Sequence, residues 1–255
     1  MKSKNKVVIV AGGASGLGEA TIRWFAGKGN RVVILDLAEE KGRKIARELG
    51  DNALFVKASV TEEKEMQAAV NTTIECFGRI DILVTCAGIN SQDKVLGKKG
   101  VHPLDTFNNV IQINLVGTFN AIRLVSEQMA KNDPDDEGER GVIVCTSSAA
   151  AFEGQIGQVA YSASKGAINS MVLPIAREFA SIGIRINAIA PGIFETPLLM
   201  ALPENVLEAL GRTVPFPNRL GRPVEFAQLV DSVVENTMIN GEVIRLDGAI
   251  RMQAR

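Results

Sequence analysis

Seven short apolar runs, separated by longer segments of helical period, limit what this chain can fold into more than any other feature. They cover residues 6–11, 31–36, 53–57, 80–86, 141–146, 184–190 and 242–246, and most are Val and Ile without polar alternation. A strand with one wet face alternates apolar and polar residues. One covered on both faces does not, so these runs read as strands buried inside a parallel sheet. The intervening segments supply the covers. In the first, Leu17, Ala20, Thr21, Trp24 and Phe25 share a helical face and Gly29 marks the stop; the second, residues 38–49, is charged on its outer side and ends at Gly50. Strand and helix in turn predict an α/β fold, a doubly wound parallel sheet of about seven strands with helices on both faces. No linker or internal repeat divides the chain, so its 255 residues are expected to form one domain over 1–255.

Scarce residues exclude whole classes of chemistry. One histidine (His102) and three scattered cysteines (Cys76, Cys86, Cys145) cannot build a zinc site or a multi-histidine metal centre. A net charge of −1 with no basic stretch gives no footprint for nucleic acid. No apolar run approaches the ~18 residues of a membrane span, and the run after Lys6 is too short for a signal peptide. Unpaired, scattered thiols fit a reducing compartment, so a cytoplasmic protein is expected. Three loops exceed the basic plan. Residues 90–105 carry Lys94, Lys98, Lys99 and His102, and the acidic 133–139 segment reads as a solvated turn. Residues 191–223, interrupted by six prolines, read as an irregular substrate-side loop, because ligands sit beyond strand ends in this architecture.

Gly12-Gly13-Ala14-Ser15-Gly16-Leu17-Gly18 follows the first run and opens the first helix. Glycines there allow a tight turn, admit a pyrophosphate close to the backbone and aim helix N-terminal N–H groups at negative charge. A glycine-rich turn without a ligand is the plain alternative. Asp36 ends the second run, eighteen residues past Gly18. A carboxylate at that point can accept from both adenosine ribose hydroxyls and repels a 2′-phosphate, although capping the next helix would also explain it. With no basic residue in the turn, a Rossmann-type site for NAD is expected.

Tyr161-Ser162-Ala163-Ser164-Lys165 sets the only tyrosine four residues before a lysine, on one face of a helix. A free phenol titrates near 10, so exchange near neutrality requires a fall of roughly 2–3 units, about 3–4 kcal/mol. A nearby ammonium and a positively charged nicotinamide both act in that direction. Tyr161 is therefore a candidate general acid/base for a carbonyl–alcohol couple, against the plain reading of a surface pair. Ser147-Ser148, at the end of the fifth run, lies where catalytic groups gather on parallel sheets and strengthens the candidate.

With Cys86-Ala87-Gly88 after the fourth run, Asn114, and Pro191-Gly192 after the sixth, this ordered set resembles the short-chain dehydrogenase/reductases over nearly the whole chain. Ala151-Phe152-Glu153-Gly154-Gln155, Thr196-Pro197-Leu198-Leu199, Val214-Pro215-Phe216-Pro217 and the ending from Gly241 to Met252 are similar to one branch, the type II 3-hydroxyacyl-CoA dehydrogenases, also called 17β-hydroxysteroid dehydrogenase type 10. The resemblance implies that Tyr161 exchanges a proton with the substrate oxygen and Ser148 hydrogen-bonds that oxygen. Lys165 would bind the nicotinamide ribose and lower the tyrosine pKa, while Asn114 holds a water leading to solvent. It also implies cofactor contacts at Gly12, Ser15, Gly16, Leu17, Gly18 and Asp36 in the first half-site, and at Ser59, Val60, Cys86, Ala87 and Gly88 beyond it. Pro191, Ile193 and Thr196 would meet the carboxamide end, and Gln155 would line the substrate pocket with Ser148 and Tyr161. A homotetramer built through the long helices and last strand is implied too.

The expected reaction is NAD-dependent oxidation of a short or branched 3-hydroxyacyl-CoA to its 3-oxo form, and the reverse. Lys98 and Lys99 suit the phosphates of a CoA moiety, with plain solvent exposure as the alternative, while His102 reads as a surface residue. The rival within the class is a dehydrogenase of hydroxysteroids or other hydrophobic secondary alcohols; the rival outside it is a non-catalytic dinucleotide-binding regulator or scaffold. Three departures from the family pattern stand out: Ala11 where many members have Thr, Cys86 where they have Asn, and Ser59 where an Asp contacts the adenine. The type II branch shares the Cys.

Overall fold

Backbone pleating sends alternate residues of each buried run into two separate cores. The computed structural model describes residues 1–98 and 100–254, and at Leu198 the backbone alone. Its strands are β1 (Val7–Ala11), β2 (Arg31–Asp36), β3 (Ala53–Lys57), β4 (Ile82–Thr85), β5 (Gly141–Thr146), β6 (Ile184–Pro191) and β7 (Val243–Leu246). They form one seven-stranded sheet in the order β3-β2-β1-β4-β5-β6-β7, with every pairing parallel. Ile9, Val33, Leu83, Ile143 and Ile186 turn to one face, Val8, Val32, Ile82 and Val142 to the other. The first face is covered by α3 (Glu63–Phe77), α5 (Gly117–Met129) and α6 (Val159–Phe179), and the second by α1 (Gly16–Gly27), α2 (Glu39–Leu49) and α9 (Pro223–Glu235). Helix α4 (Leu104–Ile111) runs through a π turn at Gln112–Val116 into α5. The chain leaves β1 towards β2 and β3, then returns to β4 on the opposite side, which opens a crevice at the carboxyl ends of β1 and β4.

Two loop expectations are corrected. Residues 191–223 are not irregular, since they hold α7 (Pro197–Met200) and α8 (Glu204–Arg212). Pro197 opens α7, Pro203 stands at the start of α8 and Pro223 opens α9. A first helical turn has no use for the N–H that proline lacks, so these prolines start helices rather than interrupt them. Nor does the acidic turn stay in solvent throughout. Glu139 is 7% exposed and accepts from the Met1 ammonium and from Arg185, whose other N–H groups hold the Val233, Val234, Asn236 and Ile239 carbonyls at the end of α9. The 90–105 loop contains a small antiparallel hairpin pairing Leu96–Gly97 with Gly100–Val101. Lys98 is exposed at its turn, and Lys99 lies outside the described residues. His102 is half-buried at the surface of this loop, its Nδ1 at 2.8 Å from the Pro103 carbonyl and its ring edge-on to Phe107.

Candidate active site

Two backbone segments meet at the glycine turn and leave no room for side chains. Gly12 has φ +81°, and a Cβ there would lie 2.5 Å from the Ala87 nitrogen. A Cβ on Gly18 would run into the Gly12 carbonyl. Ser15 precedes α1 with extended backbone, and its hydroxyl makes no capping bond, so the N–H groups of Gly16, Leu17 and Gly18 have no side-chain acceptor at the helix end. A cradle that a side chain would fill, beside an uncapped helix end, fits the pyrophosphate of a dinucleotide. Asp36 braces the turn, with Oδ2 accepting from Ala14 N–H at 3.0 Å and Oδ1 from Ala38 N–H at 2.9 Å. A carboxylate has about four acceptor positions, so these two bonds leave capacity for ribose hydroxyls.

Neighbouring groups offset two of the three departures. The Ala11 carbonyl accepts from Cys86 N–H at 2.7 Å and Ala87 N–H at 2.8 Å, joining the strand ends without a side chain. The Cys86 sulfur accepts from Thr146 Oγ1 at 3.4 Å, and burial pushes its thiol up to about 11, which keeps it neutral and inert. At the third departure, the Ser59 hydroxyl bonds Thr61 Oγ1 at 2.8 Å and its N–H donates to Glu65 at 2.8 Å, so this residue is committed to its own loop. Val60 beside it is buried, with its carbonyl accepting from Asn120 Nδ2 at 2.8 Å.

The proton-handling residues converge from three elements. Asn114 is wholly buried in the π turn, where one extra residue per turn re-aims a side chain. Its Oδ1 accepts from Ile89 N–H at 2.8 Å, and its Nδ2 donates to Ile89 C=O at 2.9 Å and to Ser164 Oγ at 3.0 Å. Gly88 lies against this group, since a Cβ on it would make a tight 3.2 Å contact with Asn114 Oδ1 and an ordinary one of 3.7 Å with Lys165 Nζ. Lys165 is 4% exposed, donates to the Thr146 carbonyl at 2.7 Å and sits 5.8 Å from the Tyr161 ring centre. Burial drives its pKa from 10.5 down to about 8. Tyr161 is half-buried; burial pushes its phenol above the ordinary value, while the Ser148 hydroxyl pulls it back. Desolvation therefore prevails over the Ser148 bond at Tyr161, and the lowering expected from Lys165 does not arise from this geometry. Ser148 starts a short 3-10 turn, Ala149–Ala151, and its Oγ accepts from Ala150 N–H at 3.1 Å. That bond uses a lone pair and leaves the hydroxyl proton for another acceptor.

Thr196 comes close to the glycine turn, its Cγ2 lying 3.7 Å from where a Gly16 Cβ would be. Pro191 ends β6 and leads into Gly192, whose N–H donates to Leu246 C=O at 2.9 Å; the Ile193 carbonyl accepts from Gly221 N–H at 2.9 Å. Gln155 is tied to the C-terminal segment, with Nε2 donating to Gln253 C=O at 3.1 Å. Sequence reasoning missed Ser164, the Thr146 carbonyl and the Ile89 backbone. Only Ser164 had a readable signal, a hydroxyl one turn after Tyr161 on the same helix; the other two act through backbone atoms that any residue type supplies.

A family model described as short chain dehydrogenase matches residues 6–207. The chain is 55% identical to the 3-hydroxyacyl-CoA dehydrogenase type-2 of Rattus norvegicus over 252 residues, 98% of this chain and 97% of that one. Identity to the Homo sapiens protein of the same name is 54% over the same share of both chains. The crystal structure of 3-hydroxyacyl-CoA dehydrogenase type-2 from Mycobacterium avium matches with a TM-score of 0.95 at 41% identity, covering 98% of each chain. Among the described residues, no helix is long and apolar enough to cross a membrane, and no group of His, Cys, Asp or Glu could hold a metal ion. Agreement along nearly the full length, in sequence and in backbone, leaves one conclusion: this chain belongs to the short-chain dehydrogenase family and is an oxidoreductase of the nicotinamide-dinucleotide type.

Proposed function

We propose that the protein interconverts a short or branched 3-hydroxyacyl-CoA and its 3-oxoacyl-CoA, with NAD as the cofactor. The carrying observation is the buried Lys165 ammonium, held on the Thr146 carbonyl beside Tyr161 and next to Gly88 at the crevice. A scaffold gains nothing from a desolvated lysine beside a desolvated phenol, whereas proton transfer uses both. The substrate class is supported by the relatives named 3-hydroxyacyl-CoA dehydrogenase type-2, which match from end to end. When bound, the nicotinamide would supply the hydride acceptor for the carbinol carbon in oxidation and, in its reduced form, the hydride donor in the reverse direction. In oxidation Tyr161 Oη accepts the alcohol proton, Ser148 Oγ–H donates to the same oxygen and orients it, and the Lys165 ammonium stabilises the phenolate form. Asn114 ties the Ile89 backbone to Ser164 on the helix that carries Tyr161 and Lys165. Substrate choice is tested by rates of NADH consumption with acetoacetyl-CoA and with a panel of ketosteroids. The acyl-CoA should be reduced with the higher kcat/KM, and the reverse order would establish the steroid rival.

Asp36 supports NAD over NADP, since its carboxylate faces the turn where a 2′-phosphate would add negative charge. Asp36→Ala is expected to raise KM for NAD about tenfold or more, the loss of hydrogen bonds to a charged acceptor, and to narrow the preference over NADP. Initial rates with each cofactor check this, and an unchanged ratio would remove Asp36 from cofactor choice. A second copy of the chain suits the groove of about 350 Å³ between α5 and α6, where Phe119, Ile122, Phe179 and Ile182 line the walls. The free thiols suit a reducing compartment.

A further inference from the structure

Asn114 is gripped from two sides, and one grip comes from a side chain outside the proposed proton group. Its amide faces the Ile89 backbone as a pair, Oδ1 to N–H and Nδ2 to C=O. The remaining Nδ2 proton goes to Ser164 Oγ at 3.0 Å, and the Ser164 hydroxyl donates onward to the Tyr161 carbonyl at 2.7 Å. Serine in a helix commonly bonds a carbonyl one turn back, and nothing more is needed to explain it there. Here the same oxygen also accepts from a side chain fifty positions away in the chain, with no exposed surface on either residue.

The arrangement has a direction. Because its proton is committed to the Tyr161 carbonyl, Ser164 Oγ presents only lone pairs to Asn114. Only the amide nitrogen can face it, which turns Oδ1 towards Ile89 N–H and towards Gly88. A reversed amide would set oxygen against oxygen at Ser164 and NH₂ against N–H at Ile89. Gly88 lies beside both groups, since a Cβ built on it would be 3.2 Å from Asn114 Oδ1 and 3.7 Å from Lys165 Nζ, so the orientation of this amide decides which of its atoms faces Gly88.

We propose that Ser164 is a positioning residue for the dehydrogenation: it fixes the Asn114 amide and thereby couples the Gly88–Ile89 loop to the helix that carries Tyr161 and Lys165. The inference rests on the proton group proposed above. Neither bond of Ser164 touches reacting atoms; the one to the Tyr161 carbonyl is the ordinary back-bond of a helical serine, so the effect on turnover particular to Ser164 passes through Asn114.

A double-mutant cycle tests this. Ser164→Ala is expected to lower kcat about tenfold, the size of one buried hydrogen bond, with KM for NAD and NADH affinity changed less than about twofold. In an Asn114→Ala background the same change should cost no more than about twofold, because the residue it acts through is gone. Ser164→Thr, which keeps the hydroxyl, should recover most of the rate. Ser164→Cys, with a weak acceptor of similar size, should fall between serine and alanine, and it keeps the question open to measurement if the alanine variant does not fold. Fully multiplicative losses in the cycle, or wild-type kcat in the Ala or Cys variant, would overturn the proposal. The cycle runs on any secondary alcohol the enzyme oxidises. A wrong acyl-CoA assignment shows itself separately, as a wild-type protein that ignores 3-hydroxybutyryl-CoA yet turns over another alcohol.

Discussion

Tyr161→Phe is expected to lower kcat for 3-hydroxybutyryl-CoA oxidation by about a thousandfold, within the range for loss of a positioned general acid/base. Phenylalanine keeps the ring and its packing, so NADH affinity and Tm should stay near wild type. No neighbour can take over the proton. The Ser148 oxygen already accepts from Ala150 N–H, and Lys165 donates to Thr146 C=O. The chain holds no second tyrosine, and its one histidine is bonded to the Pro103 carbonyl in the hairpin loop. Burial raises the phenol above its ordinary value, so the oxidation rate should climb with pH in the wild type as the proton becomes easier to remove, and lose that slope in the variant. Steady-state kcat across the alkaline range reads both effects. A variant within tenfold of wild type would mean that another group carries the proton.

Lys165→Met should abolish useful turnover while making the ligand-free protein more stable at neutral pH. Burial lowers the Lys165 pKa from 10.5 to about 8, so the folded state binds fewer protons than the unfolded state between those values. By linkage, stability rises with pH across that window. Below about pH 8 the charged lysine carries its full penalty, on the order of 3 kcal/mol for a shift of this size. Methionine removes the penalty but leaves the Thr146 carbonyl without its donor, which costs about 1 kcal/mol. A net gain of about 2 kcal/mol corresponds to a rise in Tm of roughly 4–8 °C for a chain of this size. The advantage should shrink as the pH rises from about 8 through 10.5, above which wild-type lysine is neutral in both states. Calorimetry at a series of pH values checks the sign, and a destabilised methionine variant at pH 7 would show that the ammonium is well solvated in the ligand-free fold.

Most of the sheet could be read in advance because double-sided burial leaves a composition that few other structures share. Runs 31–36, 53–57 and 141–146 coincide with β2, β3 and β5. The prolines of 191–223 misled because proline is ambiguous between breaking a helix and starting one, and only the backbone on its C-terminal side decides. Glu139 misled for another reason: its neighbours in sequence are acidic and exposed, while its partner Arg185 lies 46 positions away. Long-range pairing of that kind leaves no local trace. At the site, the residue types that carry chemistry were legible as an ordered set. The way they are held was not, since Lys165 rests on a carbonyl, Asn114 on the Ile89 backbone and on Ser164, and the strand ends on Ala11 C=O.

The most direct measurement is to follow the hydride. Purified protein is mixed with NAD and 3-hydroxybutyryl-CoA bearing deuterium at C3, and the cofactor product is examined by mass spectrometry. The expected result is NADH carrying the deuterium, formed together with acetoacetyl-CoA. Unlabelled NADH, or no NADH from this ester while a hydroxysteroid is oxidised, would contradict the proposed reaction.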